Sequence, residues 1–356
     1  MKQLSQIYLL LLLITGLTGC TTIGYYTQAI SGHFSLMTRA EPVAEVIGDA
    51  ETRSELREKL ELALEARRFA GERLALPVGE AYLEYVQLDH PWVVVNLVAV
   101  PEFSLKPHSW CYPMVGCQAY RGYFSLDDAR REQAGFRDKG YDTFIGGVTA
   151  YSTLGWFDDP LHSGFTRLDE DRMVALMFHE LAHRVVYISE DTTFNESFAT
   201  AVELEGLRTW LEHRGEADRF EEALARLQRR NQTLALVREA TSQLDQLYNQ
   251  LETLGPETVR QRKQGILARL AEAYGELSRS WTEPGPFGPA PVTLNNANLA
   301  LFRQYNQFVP GFRQLLSDHD HDFPAFYRAV EELGQQPPAK REAALAQLSQ
   351  RFEEDL

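Results

Sequence analysis

Apolar and polar positions alternate along this chain in three different rhythms. Residues 7–14 are an almost unbroken apolar run, and from about 52 to 71 Leu56, Leu60, Leu64 and Phe69 recur at helical spacing with Glu and Arg between them. The second pattern predicts an amphipathic helix. Residues 82–88 alternate, 92–100 are Val-rich, and 120–124 and 144–154 again read as strands, the last with Thr149, Tyr151 and Thr153 in alternation. From Asp169 the period becomes helical. Helices are expected over 173–187, capped by Asp169 or Asp171, and over 194–213, with a turn at 189–193. Residues 216–281 are rich in Leu, Ala, Glu, Gln and Arg and are broken at Leu254-Gly255-Pro256, which predicts an antiparallel helical hairpin. A Pro- and Gly-rich loop at 283–291 leads to further helices over 296–316, 323–333 and 340–352. Helix, strands, then helices describe an α+β body that is mainly α.

Composition changes this picture little. Apolar residues make up 44% and charged residues 24% of 356 residues, as in an ordinary folded body. The net charge of -15 argues against a nucleic-acid partner, which would need clustered Lys and Arg. The N-terminus changes it more. Lys2, an apolar run too short to span a bilayer, and Leu17-Thr18-Gly19-Cys20 resemble the bacterial lipoprotein signal. That resemblance implies cleavage after residue 19, acylation of Cys20, attachment to a membrane through that lipid, and a periplasm-facing protein. Thr21 rather than Asp after the cysteine points to the outer membrane. In such an oxidising compartment the remaining pair, Cys111 and Cys117, reads as a disulfide closing a tight loop.

The chemistry is concentrated in His179-Glu180-Leu181-Ala182-His183. On a helix, positions i and i+4 lie on one face, so both imidazoles can converge on one Zn2+, while Glu180 is offset to reach a water on that ion as general base. Residue frequencies produce such a motif by chance about once in a hundred chains of this length. Here it lies within a helix-compatible run with Val174, Leu176, Phe178, Leu181 and Val185, the context the chemistry demands. The bland alternative is two partly buried histidines on a structural helix.

A third ligand is required, with a fourth position left open. No histidine follows at a suitable distance; His213 sits near the expected end of the next helix. Glu196, in Asn195-Glu196-Ser197-Phe198-Ala199, opens that helix and would return to the metal if the chain turns at 189–193. This resembles the gluzincin pattern, although the twelve residues between His183 and Glu196 are fewer than in thermolysin-like enzymes. Two alternatives stand beside it. Thr193 and Glu196 fit a capping box, and Glu203, seven residues on, could be the ligand or a group orienting a histidine. Zincins bind substrate along an edge strand, and residues 147–155 suit that role, with Thr149, Ala150, Tyr151 and Ser152 as the substrate-binding set. Asp158 or Asp159 could shape the cleft. Tyr305, Arg303 and His162 are candidates for holding the oxyanion, Tyr305 foremost.

Several segments together resemble one family, the predicted zinc aminopeptidases of Gram-negative bacteria. They are Gly24-Tyr25-Tyr26-Thr27-Gln28, Gly116-Cys117-Gln118-Ala119-Tyr120-Arg121-Gly122-Tyr123-Phe124, the stretch from Ala150 to Pro160, the His179 motif, Asn195-Glu196-Ser197-Phe198-Ala199, and Asn295-Asn296-Ala297 with Phe302-Arg303-Gln304-Tyr305. The resemblance implies a metallopeptidase acting on peptides, with a gluzincin-like core. The Gly-x-Met-x-Asn strand ending by which large gluzincin aminopeptidases recognise a free amine does not occur here. An endopeptidase or a cell-wall amide hydrolase is therefore the enzymatic alternative, and a non-catalytic envelope interaction protein the other. The expected organisation is a signal over 1–20, a tether over 21–50, a zincin-like catalytic region with a small antiparallel sheet over 51–215, a long helical hairpin over 216–282 and a C-terminal helical region over 283–356 packing on the core. The segments after residue 205 are expected to wall the cleft.

Overall fold

A computed structural model describes residues 24–112, 116–148, 158–303 and 307–352. Helix α1 (24–38) leads through the two-residue strand β1 (Glu41–Pro42) and the short helix α2 (Val43–Gly48) into α3 (Ser54–Arg73). The strands follow: β2 (Glu84–Val86), β3 (Val94–Pro101), the hairpin β4 (Trp110–Tyr112) and β5 (Gly116–Gln118), and β6 (Arg121–Tyr123). Helix α4 (Leu126–Arg137) then returns the chain to β7 (Tyr141–Val148). After β8 (Leu161–His162) and the single turn α5 (Ser163–Thr166) come α6 (Glu170–Ala182) and α7 (Thr192–Arg214). The rest is helical: α8 (Phe220–Tyr248), α9 (Leu251–Leu254), α10 (Pro256–Ser278), α11 (Asn296–Arg303), α12 (Val309–Ser317), α13 (Phe323–Gly334) and α14 (Pro338–Arg351). The architecture is mainly helical with small sheets.

The central sheet has the order β6-β3-β7 and is antiparallel throughout, with Leu97 opposite both Arg121 and Ile145. Strand β3 is apolar at nearly every position because both of its faces are covered. Val95, Leu97 and Ala99 pack with Trp110, Tyr123 and Ala129 of α4, while Val98 and Val100 meet Ala297 and Ala300 of α11. A smaller sheet, β1-β2-β8, pairs β2 and β8 in parallel.

The main core lies between α3, α6, α7, α12 and α13, where Phe178, Phe198, Phe312, Phe326 and Trp210 are fully buried. Gly206 permits the closest of these contacts. A Cβ there would stand 2.9 Å from Phe178 and 2.9 Å from Leu74, so its absence lets α7 press directly onto α6. The second core belongs to the α8/α10 hairpin, where Val237, Leu244, Val259 and Leu270 interleave. Gly255, in the left-handed region at φ 76°, makes the corner, and Pro256 starts the return arm where its missing N–H costs nothing. The hairpin is tied to the sheet by buried Lys263, which donates to Asp142 on β7 at 2.6 Å and to the Glu102 carbonyl at 2.8 Å.

Several expectations need correction. The alternating segment 82–88 forms only three residues of strand, and 120–124 also forms three. Helix α4 has no counterpart in the sequence reading. The segment 296–316 is two helices rather than one, α12 starting afresh with Pro310 in its first turn.

Candidate metal centre

Helix α6 starts where Asp169 caps it, accepting from the Arg172 amide at 3.2 Å, with Glu170 and Asp171 in the first turn favoured by the helix dipole. It was expected to run to residue 187, but it ends at Ala182. His183 is its C-cap, still at φ -61° and ψ -18°, and the next amides bond three residues back, Arg184 to Leu181 and Val185 to Ala182. The last turn thus tightens without losing the i, i+4 relation, and the His179 and His183 rings stand 5.0 Å apart.

The chain must now turn back, and Asn195 fixes how. Its side-chain amide donates to the Ile188 carbonyl at 2.7 Å and its oxygen accepts from the Ile188 N–H at 2.8 Å, stapling the connection to α7. Helix α7 is capped by Asp191, whose carboxylate accepts from the Phe194 amide at 3.1 Å and pairs with Arg341 at 2.6 Å. The capping box from Thr193 to Glu196 therefore does not form, and Glu196 turns to the histidines instead. Its two carboxylate oxygens lie 3.5 Å from His179 Nε2 and 3.8 Å from His183 Nε2. Glu203, two turns along the same face, accepts from His179 Nδ1 at 3.0 Å. It stands behind that ring, on the side away from Glu196.

One ligand atom each from His179, His183 and Glu196 all fall within 4.8 Å of one another. Bonds of about 2.1 Å in a tetrahedron would set ligand atoms roughly 3.4 Å apart, so a small contraction would seat one zinc-sized ion. A histidine offering one nitrogen to the shared centre and the other to a carboxylate is the usual support for a metal ligand.

The electrostatics have one direction. Burial would depress His179, but hydrogen bonds to Glu196 and Glu203 overcome it and hold the imidazole well above its ordinary pKa. Burial, with help from His179, depresses His183 to about 4. Glu196 is lowered despite its burial, through His179 and His183. Burial pushes the Glu180 carboxyl up to about 7; His179 opposes this, and the carboxylates of Glu196, Asp159 and Glu203 add to it. Negative charge converges here, and a proton on His179 now answers it.

The remaining candidates separate clearly. Cys111 and Cys117 are bonded across the β4/β5 hairpin, S–S 2.00 Å. His162 is buried, accepts from the Gly164 amide at 3.1 Å as the cap of α5, and belongs to the scaffold rather than to this site. His213 packs against Phe69, ring centroids 5.4 Å apart. Asp158 lies 3.6 Å from Arg184, and the Asp159 carbonyl accepts from the Tyr82 amide. Thr149, Ala150, Tyr151 and Ser152, Tyr305 and Cys20 lie outside the described residues, as does the side chain of Arg303. Strand β7, which leads into the proposed substrate strand, is an edge of its sheet among the described residues.

Two residues escaped the sequence reading. Tyr120, between β5 and β6, packs with Val98, Val100, Ala297 and Ala300, and burial raises its hydroxyl pKa, with the charges of Glu196 and Glu180 adding to the rise. The positive charge of Arg230 on α8 acts on Glu196, and its guanidinium sits 5.7 Å from the Phe302 ring centroid. Neither stands in a motif of the metal helices, so only the fold brings them near. The disulfide hairpin also reaches this region. A side chain at Gly116 would touch Ser189 and Glu190 at 3.3 Å, and Gln118 hydrogen-bonds Tyr187, all on the connection between the two metal-site helices.

A family model described as "Putative aminopeptidase" matches residues 24–345, and the chain belongs to that family. No curated protein and no solved structure matches it.

Proposed function

We propose that this member of an aminopeptidase family is a zinc-dependent peptidase in which His179, His183 and Glu196 hold the ion and Glu180 is the general base. The observation that carries the reading is the convergence of those three side chains with Glu203 fixing the ring of the first. A zinc ion held there would supply Lewis acidity, acidifying a water and polarising a peptide carbonyl. The chain's own groups do the rest. Glu180 takes the proton of the attacking water and delivers it to the leaving amine. Glu203 keeps His179 in the tautomer that presents Nε2 to the ion. Tyr120, whose hydroxyl burial and the charges of Glu196 and Glu180 keep protonated, joins Tyr305 as a candidate donor to the developing oxyanion. The edge of β7 would provide a track for an extended peptide. The same reading places the protein in the cell envelope, anchored through acylated Cys20.

Zinc content by elemental analysis tests it, on the chain lacking residues 1–20 and on its His183→Ala and Glu196→Ala variants. One zinc per chain, lost in both variants, is expected. Loss with His183→Ala alone would move the third ligand to Glu203. No zinc in the unmodified chain after adding it back would remove the enzyme reading. A screen of blocked and unblocked peptides beside muropeptides then separates aminopeptidase, endopeptidase and cell-wall hydrolase.

A further inference from the structure

Helix α1 is packed on one side only. Its inner side is fixed to the body: Arg121 lies 3.7 Å over the Tyr25 ring, the Gln28 side chain accepts from the Phe124 amide, a side chain at Gly32 would collide with Phe124, and Leu36 is buried with Val86, Leu88, Val93 and Val94. The outer side carries Tyr26, Ile30 and Phe34, 37%, 57% and 64% exposed. They recur every four residues and so form one stripe. Among the described residues the only other large exposed hydrophobic side chain is Tyr187. Beside the stripe stand Thr27, Ser31, Ser35 and Thr38, all exposed and uncharged.

We propose that the outer face of α1 lies on a lipid bilayer, in the headgroup layer, and orients the protein on the membrane. The occupant follows from charge and position. All 50 Asp and Glu residues lie after residue 40, so this helix is free of acids in a chain of net charge -15. A protein partner for so acidic a molecule would be expected to meet its charge, whereas this face offers none; anionic lipid would be repelled elsewhere on the molecule but not here. From Tyr25 to Leu36 the described length of the helix has one side taken by the body, so this stretch lies flat along the molecule instead of spanning a bilayer. The first described residue of the helix lies four residues after Cys20. Acyl chains there would hold it at the surface, and the face of the helix would then set how the body sits on the bilayer. This inference rests on the envelope reading for its setting but not on the metal.

The contacts continue to the metal loop. Tyr25 and Tyr26 meet Tyr112 of the disulfide hairpin at ring distances of 5.7 and 6.4 Å, and that hairpin touches Ser189, Glu190 and Tyr187. Exposed Tyr187 is thus linked to the stripe's helix through that hairpin. A membrane under α1 would lie near the connection between the two metal-site helices.

The test uses the full chain, processed from its own N-terminus and reconstituted in vesicles of phosphatidylethanolamine and phosphatidylglycerol. With Cys111 and Cys117 bonded to each other and Cys20 acylated, a thiol introduced by Ile30→Cys, Phe34→Cys or, as a control, Glu257→Cys on α10 takes a nitroxide label alone; the Glu257 side chain is 87% exposed. Collision with oxygen relative to a water-soluble nickel chelate is expected to be severalfold higher at 30 and 34 than at 257. Equal ratios at all three positions would overturn the proposal. Strong spin–spin broadening between labels at position 34 of two chains would also overturn it, because a second copy would then cover the face. Mass spectrometry of the N-terminal peptide separates this from the anchor reading. An acylated chain with water-exposed labels sinks the proposal alone. If the chain is unacylated, the labelling is repeated with Cys20→Ser so that position 20 takes no nitroxide, and labels still shielded at 30 and 34 then sink the anchor and leave the proposal standing.

Discussion

Glu203 and Glu205 are two residues apart on α7, yet they live in opposite electrostatic worlds. Glu205 is buried and matched by permanent cations, Arg313 at 2.6 Å and Arg208 at 2.8 Å, which hold its carboxyl below the usual range against the effect of burial. Glu203 faces the other way and meets the His179 imidazole, while Glu196 meets both imidazoles and the charge of Arg230, beside a Glu180 whose carboxyl is pushed up. One side of the helix is balanced by charges the chain itself provides. The other sets the carboxylates of Glu180, Glu196 and Glu203 against Arg230 and two imidazoles, and an arriving proton or cation would add to that balance. A buried charge left unanswered costs several kcal/mol, so the imbalance points to a ligand rather than to scaffold.

The sharpest way to break this contrast is Glu180→Gln. It keeps shape and removes the base, so kcat should fall about 10²- to 10⁴-fold with zinc content unchanged; a variant that hydrolyses peptide at the original rate would take Glu180 out of the mechanism. Next comes Glu205→Ala, which removes the buried carboxylate that both Arg313 and Arg208 bond. Denaturant unfolding should show a loss of about 3–5 kcal/mol, while zinc stoichiometry in the folded fraction stays at one. Glu203→Gln should weaken zinc binding about 10- to 100-fold in a chelator competition and leave stability nearly unchanged. If instead it unfolds the chain as Glu205→Ala does, the two sides of α7 are not different in kind.

Acidity offers a gentler probe. The Glu205 carboxyl is lowered in the fold, so its contribution to stability is present above the unfolded carboxyl pKa and is lost as pH falls through the lowered value. His179 runs oppositely in the metal-free chain. Its pKa is raised, so the stability from its proton is present below the ordinary histidine value and is lost as pH rises through the raised one. Zinc must displace that proton. Zinc affinity should therefore rise from pH 6 to pH 8, with proton uptake by the buffer detectable in calorimetry; a pH-independent affinity would contradict a protonated His179.

What the sequence could reveal follows the same division. The motif helix and the following helix were legible from their own apolar pattern, and the long hairpin from its helix-forming composition and the break at Leu254-Gly255-Pro256. Helix α4 was not, since in Leu126–Arg137 only Ala129 and Gln133 are buried and no apolar stripe marks it. The strands expected at 82–88 and 120–124 exist only as the three-residue β2 and β6, and β4, β5 and β8, of three, three and two residues, are too short to carry an alternation. Glu196 could be nominated but not separated from a capping role, because the decision lay with Asp191 and its partner Arg341, 150 residues away. Tyr120 and Arg230 were invisible for the same reason. Each sits in a segment whose local pattern says nothing of the metal helices, and only tertiary packing brings it within reach of Glu196.

Gly206 has a consequence for anyone engineering this protein. Exchanging a helix-interior glycine for alanine is a standard route to a more rigid, more heat-tolerant variant, since it removes freedom from the unfolded chain. Here the added methyl would strike Phe178, the neighbour of His179, and Leu74 behind it. Relief would come by easing α7 off α6, and the 3.0 Å link from Glu203 to His179 spans that same seam. The missing side chain works as a spacer gauge: it sets how far the acidic helix stands from the imidazole helix, and through that distance the size of ion the gap would grip.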